Sequence, residues 1–389
     1  MDLDFDINKV NMDNQVKIDN QVKIDNQVKI ETETGQKPAG SAGKAMIAMS
    51  GGVDSSVAAL LMKQAGYACM GVRMELYSPE SEEPSGDNAD AKRVADRIGM
   101  PFCCLDYREL FKDQVIRRFV ESYECGATPN PCIECNRYIK FGRLMTAMAE
   151  MGCDYIVTGH YARIQRDPQT GRYLVYKAKD ISKDQSYVLY HMTQDQLAHT
   201  LLPLGEYTKA EIRQIAEEHG FVNARKHDSQ DICFVPDGKY ASFIEAYRDR
   251  QAEPGDFVLQ DGTVMGRHKG LIRYTIGQRR GLGLSLTHSM YVCAKDIEKN
   301  QVIIGENEDL FSTELDADQI NFIPFDHLDQ PIRCTAKTRY KQKEVPAVVT
   351  QTGPDRIHVS FETPVRGITR GQSVVLYDED MVIGGGVIL

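Results

Sequence analysis

Residues 44–66, KAMIAMSGGVDSSVAALLMKQAG, constrain the fold more than any other stretch of this chain. The apolar run 45–49 reads as a strand buried on both faces. Ser50-Gly51-Gly52-Val53-Asp54-Ser55-Ser56 follows, and then Val57, Ala58, Leu60, Leu61 and Met62 recur at helical spacing. A strand, a glycine turn and a helix in that order open a parallel-sheet α/β unit. The start of such a helix carries unsatisfied N–H donors and partial positive charge, which suit a phosphate. Gly51 and Gly52 let the backbone approach the anion where a Cβ would stand in the way. The loop is not of the Walker kind: GxxxxGK[ST] occurs nowhere, and the nearest approach, PAGSAGKA, has Pro38 where the first glycine belongs.

Downstream the pattern alternates. Strand-like runs at 68–74, 101–105 and 155–158 are separated by helical runs at 88–98, 107–123 and 136–151. This predicts a doubly wound parallel sheet with ligands at the carboxyl ends of its strands. A hairpin follows, with GRYLVYKA (171–178) as its second strand. Thr208 to Glu211 form a capping box opening a helix that Gly220 closes, and another helix covers about 239–250 before PGD turns the chain at 254–256. Beyond 276, glycine-punctuated strands from MYVCAKD to VIGGGVIL read as an antiparallel barrel. The expected architecture is therefore α/β: a parallel-sheet domain over 44–200, a small central mixed domain over 201–275 and a C-terminal antiparallel β-barrel over 276–389. Residues 1–43 carry DNQVKI three times between Asp13 and Ile30; copies this short cannot bury a core, and a disordered tail is expected.

Composition narrows the function classes. No apolar run reaches the length of a membrane span and no signal-peptide core is present, so the expected location is cytoplasmic, without membrane partners. Ten scattered cysteines in 389 residues are not a small secreted disulfide framework. A formal charge of −10 argues against indiscriminate nucleic-acid binding. Yet 266–283 and 331–343 each hold five Lys or Arg and no acid, with Tyr340 available to stack on a base.

Two segments carry thiol chemistry. In GATPNPCIECNRYIKFG (126–142) two prolines enforce an extended approach, and Cys132 and Cys135 stand before a helix bearing Arg137, Lys140 and Arg143. A helix N-terminus and nearby cations lower thiol pKa values, so enriched thiolate is expected there. A single CxxC lacks the four ligands of structural zinc. HDSQDICFVPDG (227–238) places Cys233 between apolar neighbours after a polar turn, and by itself that cysteine reads as core.

SGGVDS is the pattern of the PP-loop, the pyrophosphate-binding loop of ATP pyrophosphatases. SGGVDSS, TPNPC..CNRYIKF, TGHYAR (158–163), KDQSYVLY (183–190), DSQDICFV (228–235) and YTIGQRRGLG (274–283) occur here in the order found in the tRNA-specific 2-thiouridylases, which the chain resembles from 44 to 389. The resemblance implies that the first domain is a PP-loop ATP pyrophosphatase and that the central segment takes part in tRNA binding. It implies that Ala48, Met49, Ser50, Gly51, Gly52, Val53, Asp54 and Ser55 hold the phosphates of ATP with Mg²⁺, while Met74 and Gly159 border the adenosine. Asn130, Pro131 and Cys132 match positions beside the target base; His160, Lys183, Asp184, Gln185, Arg339, Tyr340 and Gln372 match tRNA-contacting positions. Cys135 matches the nucleophile and Cys233 the persulfide-bearing cysteine. The implied reaction is 2-thiolation of the wobble uridine of tRNA by adenylation of the uracil C2 oxygen, with sulfur from a persulfide-donating carrier or a cysteine desulfurase.

One position departs from the family pattern: Cys132 stands where PNPD has its aspartate. A mostly protonated thiol replaces an ionised acid. Cys132, Cys135 and Cys233 then form a three-cysteine set able in principle to hold a [4Fe-4S] cluster, the alternative to disulfide and persulfide chemistry. Two further readings compete: a PP-loop ligase fed ammonia by a glutaminase partner, which leaves Cys135 and Cys233 without a task, and a non-enzymatic RNA-binding protein whose CxxC holds a metal.

Overall fold

A computed structural model describes residues 42–77, 86–226, 232–235 and 237–389, with the side chains of 86–88 excepted. The expected repeat-bearing tail, apart from its last two residues, lies outside the described residues, as do residues 227–231 and 236 of the Cys233 motif.

Strand β1 (Lys44–Ala48) is central because both its faces are apolar. Ala45, Ile47 and Met49 join one core, and Met46 and Ala48 join the other, as the period of two requires. It pairs in parallel with β2 (Ala68–Glu75) on one side and, across β3 (Phe102–Asp106) in chain order, with β4 (Tyr155–Val157) on the other. β3 lies outside β2, and a short strand, Thr200–Leu201, lies outside β4. The strand order reverses between β1 and β4, so the crevice beyond their carboxyl ends is the expected ligand position.

Helix α1 (Val53–Gln64) covers one face with Val57, Ala58, Ala59 and Leu60, joined by Val94 and Ala95 of the helix Gly86–Ile98. Ile212 and Ala216 of the helix Lys209–Glu218 complete that core. The Thr208–Glu211 capping box is present, and Gly220 adopts a left-handed φ of +63° at the helix end. Residues 201–226 thus pack on the parallel sheet, although the sequence groups them with the central domain. The other face is covered by residues 108–124 and 131–150, through Phe111, Val115, Phe119, Cys135, Ile139 and Leu144.

The hairpin Ala162–Arg166/Tyr173–Lys177 forms as expected, but its second strand pairs with the barrel, Met381 against Tyr176 and Val382 against Val175. The barrel runs through 311–322, 356–366, 345–353, 332–337, 373–378 and 381–388 and closes by pairing of its first and last strands. The glycine run of VIGGGVIL makes closure feasible: a Cβ on Gly384 would lie 2.1 Å from the Asn321 carbonyl oxygen, and one on Gly385 2.3 Å from that of Val374.

One expectation needs correction. Tyr291–Asp296 and Gln301–Gly305, assigned from sequence to the barrel, instead form a separate four-stranded sheet with Gly255–Val258 and Val264–His268. Gln301–Gly305 runs parallel to Gly255–Val258. Alternating apolar residues read alike in either sheet, because the pairing partner is distant in sequence.

Candidate active site

The glycine loop follows β1 and feeds α1. Gly51 takes a φ of +80°, the left-handed conformation that favours glycine, and Gly52 is the N-cap with no side chain capping the helix. The first-turn N–H groups therefore point out of the helix without intrahelical partners. Ser55 Oγ accepts from Ser50 N at 3.2 Å and donates to the Gly52 carbonyl at 3.2 Å, which fixes the loop from inside. Asn223 Nδ2 donates to the Gly51 carbonyl (3.0 Å) and to Ser56 Oγ (2.9 Å) from the opposite side. Gly159, after β4, abuts the same turn: a Cβ there would lie 2.9 Å from Ser55 N and 3.1 Å from Asp54 Cβ. A pre-shaped, uncapped helix start of this kind fits a phosphate chain.

Asp54 is held on several sides. Lys209 Nζ donates to both its carboxylate oxygens at 2.8 Å, and Tyr161 Oη donates to Oδ1 at 2.7 Å. Tyr161 N in turn donates to Gln185 Oε1 at 3.0 Å. Neither Lys209 nor Asn223 was singled out from sequence. Lys209 does leave a trace there, since a lysine in the first turn of a helix opposes the dipole and calls for an anionic partner.

The CxxC opens a helix that changes pitch. Asn130 Oδ1 caps it by accepting from Cys132 N at 3.1 Å, Pro131 occupies the first turn, and Cys135–Arg143 is π-helical. With i→i+5 bonding, residues five apart come nearly into line, whereas 3.6 residues per turn would separate them. Lys140, five residues after Cys135, is within electrostatic reach of it, and it also reaches Cys132, Cys233 and His160. Cys233 in turn feels Cys135 and Cys132, and the turn that carries it packs Phe234 and Val235 into the core of Cys135.

The expected lowering of the thiol pKa values is not found. Burial pushes Cys132 and Cys135 up, and Cys233 up to about 12, against a smaller opposing pull from Lys140. Cys132 and Cys233 do present surface to solvent, but the atoms crowded around each sulfur make desolvation outweigh one cation. All three are free thiols.

Residues 43–237 match the family described as tRNA methyl transferase HUP domain, 241–306 the tRNA methyl transferase PRC-barrel domain and 312–388 the aminomethyltransferase beta-barrel domain. The tRNA-specific 2-thiouridylase MnmA of Clostridioides difficile is 48% identical over 352 residues, covering 89% of this chain and 98% of that one. The enzyme of the same name from Clostridium acetobutylicum is 48% identical over 353 residues, covering 89% and 99%. The chain belongs to the tRNA-specific 2-thiouridylase family. Among solved structures, a U34-tRNA thiolase NcsA from Methanococcus maripaludis with its [4Fe-4S] cluster shares 17% identity and a TM-score of 0.34, covering 55% of this chain and 69% of that one. That likeness is too distant to carry its cluster over.

The expected tRNA-contacting residues of this chain divide. His160 is buried, its Nδ1 is 2.8 Å from Thr158 Oγ1, and burial, Lys140 and His191 hold its pKa well below the usual histidine range, so it is neutral. Asp184 is also buried, accepting from Ala178 N, Ser186 N and Ser186 Oγ. Tyr340 is exposed and donates its hydroxyl to the Asp184 carbonyl at 2.8 Å, while Lys183 flanks them. Gln372 Nε2 donates to the Thr128 carbonyl at 2.6 Å, fastening the barrel to the strap that leads into Asn130 and Pro131. Arg339 Nη2 is engaged by the carbonyls of Ile276 and Gly367 and by Thr369 Oγ1. Arg339 therefore works as a clasp between barrel and central segment.

The two acid-free stretches divide the same way. Arg267, Arg273, Arg333 and Lys337 form ion pairs with Asp256, Glu245, Glu362 and Glu344. Lys269, Arg279, Arg280, Lys341 and Lys343 are exposed and make no ion pair among the described residues. Replacing Lys341 and Lys343 by alanine is expected to lower the salt slope of tRNA binding by about one to two. Arg339→Ala should leave the slope unchanged but cost about 1–3 kcal/mol of stability, read by thermal unfolding. A salt slope that falls with Arg339→Ala alone would reverse that division.

A three-cysteine cluster does not fit as the thiols stand. Among the described residues no three His, Cys, Asp or Glu side chains converge to hold a metal ion. Asp54, the carboxylate expected to face Mg²⁺, has both oxygens on Lys209 in this structure, so it would face a magnesium ion only once that ammonium has moved away. No helix of the described residues is long and apolar enough to cross a membrane.

Proposed function

We propose that this chain carries out ATP-dependent 2-thiolation of the wobble uridine of tRNA. The observation that carries the reading is the position of Lys140, within electrostatic reach of three thiols and of His160, whose neighbour Gly159 packs on the phosphate-loop helix at Asp54 and Ser55. Phosphate chemistry and sulfur chemistry thus meet at one end of the parallel sheet. A ligase fed with ammonia gives no reason for that convergence.

In this reading Ala48 to Ser55 hold the ATP phosphates and Met74 and Gly159 flank the adenosine. The target base leaves its stack to reach Asn130, Pro131 and Cys132. Its C2 oxygen attacks the α-phosphorus, the bond to the β-phosphate oxygen breaks, and pyrophosphate departs. The terminal sulfur of a Cys233 persulfide, loaded by a sulfur carrier or cysteine desulfurase, attacks C2, and AMP leaves with the former C2 oxygen. Cys135 then attacks Cys233 Sγ, the sulfur–sulfur bond breaks, the sulfur stays on C2, and a Cys135–Cys233 disulfide remains for an external thiol to reduce.

The test is incubation of the purified protein with unmodified tRNA, ATP and a persulfide donor, followed by mass spectrometry of the nucleosides. One 2-thiouridine per pyrophosphate released is expected. Pyrophosphate without sulfur in the RNA would favour the ligase reading, and neither product would favour the RNA-binding one.

A further inference from the structure

We propose that Lys209 is the cation of this phosphate loop, passing from Asp54 to the β,γ-pyrophosphate of ATP when the nucleotide binds. The proposal rests on the reading that the loop takes ATP.

The loop itself is short of charge. Residues 48–56 contain no Lys or Arg, whereas the Walker loop includes a lysine of its own for the β- and γ-phosphates. Arg73 comes near, but its Nη1 donates to the Ser50 carbonyl at 3.0 Å. The ammonium of Lys209 arrives from 155 residues away in sequence and sits 2.8 Å from each Asp54 oxygen. Asp54 belongs to the first turn of α1, the same turn whose N–H groups face the phosphate position. The cation is therefore already where a phosphate chain would need it.

Its placement is built rather than incidental. Lys209 is 9% exposed, its ammonium lies 5.8 Å from the centre of the Tyr161 ring, and its backbone N–H donates to Asp180 Oδ2 at 3.0 Å. The Thr208–Glu211 capping box sets the start of its helix, so the lysine stem leaves a fixed point. A lysine in a helix's first turn is electrostatically unfavourable, and a buried ammonium without an anion is costly. Asp54 supplies the anion before the nucleotide binds. Exchange of a carboxylate for a phosphate keeps the ammonium paired throughout, which avoids the desolvation penalty of exposing a bare charge. Tyr161 Oη, already bonded to Asp54 at 2.7 Å, remains to hold the carboxylate.

A purely structural Asp54–Lys209 pair makes the opposite forecast for one variant, which decides the matter. Binding of inorganic pyrophosphate to the full chain is measured by calorimetry without divalent ions, so that Asp54 has no metal to hold. Lys209→Met is expected to weaken binding about ten- to a hundredfold, the usual effect of losing a charged hydrogen bond. Lys209→Gln, one atom shorter but still carrying an uncharged N–H donor toward Asp54, should lose a similar factor and decides the case if the methionine variant does not fold. Asp54→Asn should bind at least as tightly as the wild type, because it removes the carboxylate that competes with the phosphate for the ammonium. Equal losses in Lys209→Gln and Asp54→Asn, or wild-type affinity in Lys209→Gln, would overturn the proposal. Absence of binding by the wild-type chain would overturn it together with the reading of the loop.

Discussion

Serine in place of Cys233 is expected to abolish sulfur transfer to tRNA, by on the order of a thousandfold or more, while ATP still yields pyrophosphate in the presence of tRNA. The separation follows from where the residue sits: the Cys233 turn packs against Cys135, whereas the phosphate loop is held by Ser50, Ser55 and Asn223. Cys135→Ser should also lose catalytic turnover but still load a persulfide on Cys233 before tRNA is added, and stall with ATP and tRNA as a tRNA–Cys233 disulfide, both detectable by mass spectrometry. The pH profile carries further information. Burial and the neighbouring thiols push Cys233 up to about 12, so the thiol form dominates at pH 7. Because the thiolate is the deprotonated form of a raised group, persulfide loading should accelerate about tenfold per pH unit from 7 to 9. A flat profile over that range would remove the Cys233 thiolate from the rate-limiting step. Cys132→Asp, which restores the family motif, should retain substantial thiolation. Activity that tracks iron content and disappears in Cys132→Asp would instead establish the cluster and overturn the disulfide route.

Asp54→Ala is expected to reduce ATP-to-pyrophosphate turnover at least a hundredfold, roughly the loss of about 3 kcal/mol of transition-state stabilisation. The variant removes the carboxylate that Lys209 and Tyr161 both contact beside the glycine loop. Since the Asp54 side chain is 31% exposed, the accompanying loss of folding stability should be only about 1–3 kcal/mol, leaving a folded protein to assay. Turnover in single-turnover format, with circular dichroism as the control, checks both parts. A folded Asp54→Ala protein with normal pyrophosphate release would show that the loop works without this carboxylate.

Much was legible locally. The apolar run at 45–49, the glycine turn and the helical spacing after it determined β1, the glycine loop and α1, because those signals act over a few residues. Thr208 to Glu211 likewise specified a helix start whose hydrogen bonds close within one turn. The ordered motifs from SGGVDSS to YTIGQRRGLG sufficed to point to the 2-thiouridylase family. What the sequence could not settle depends on partners distant along the chain. Tyr291–Asp296 and Gln301–Gly305 have the alternation of barrel strands, and only pairing with Gly255–Val258 assigns them to a different sheet. Arg339 reads as a free cation in a basic stretch until the carbonyls of Ile276 and Gly367 close on it. The thiol pKa values were misjudged because helix position and nearby cations can be read from spacing, whereas desolvation depends on everything packed around the sulfur. The sequence by itself determined which residues are candidates for phosphate and sulfur chemistry. The tertiary structure decided that Lys140 comes within electrostatic reach of Cys233 and the CxxC and that Lys209 sits on Asp54, since charge and burial act through space.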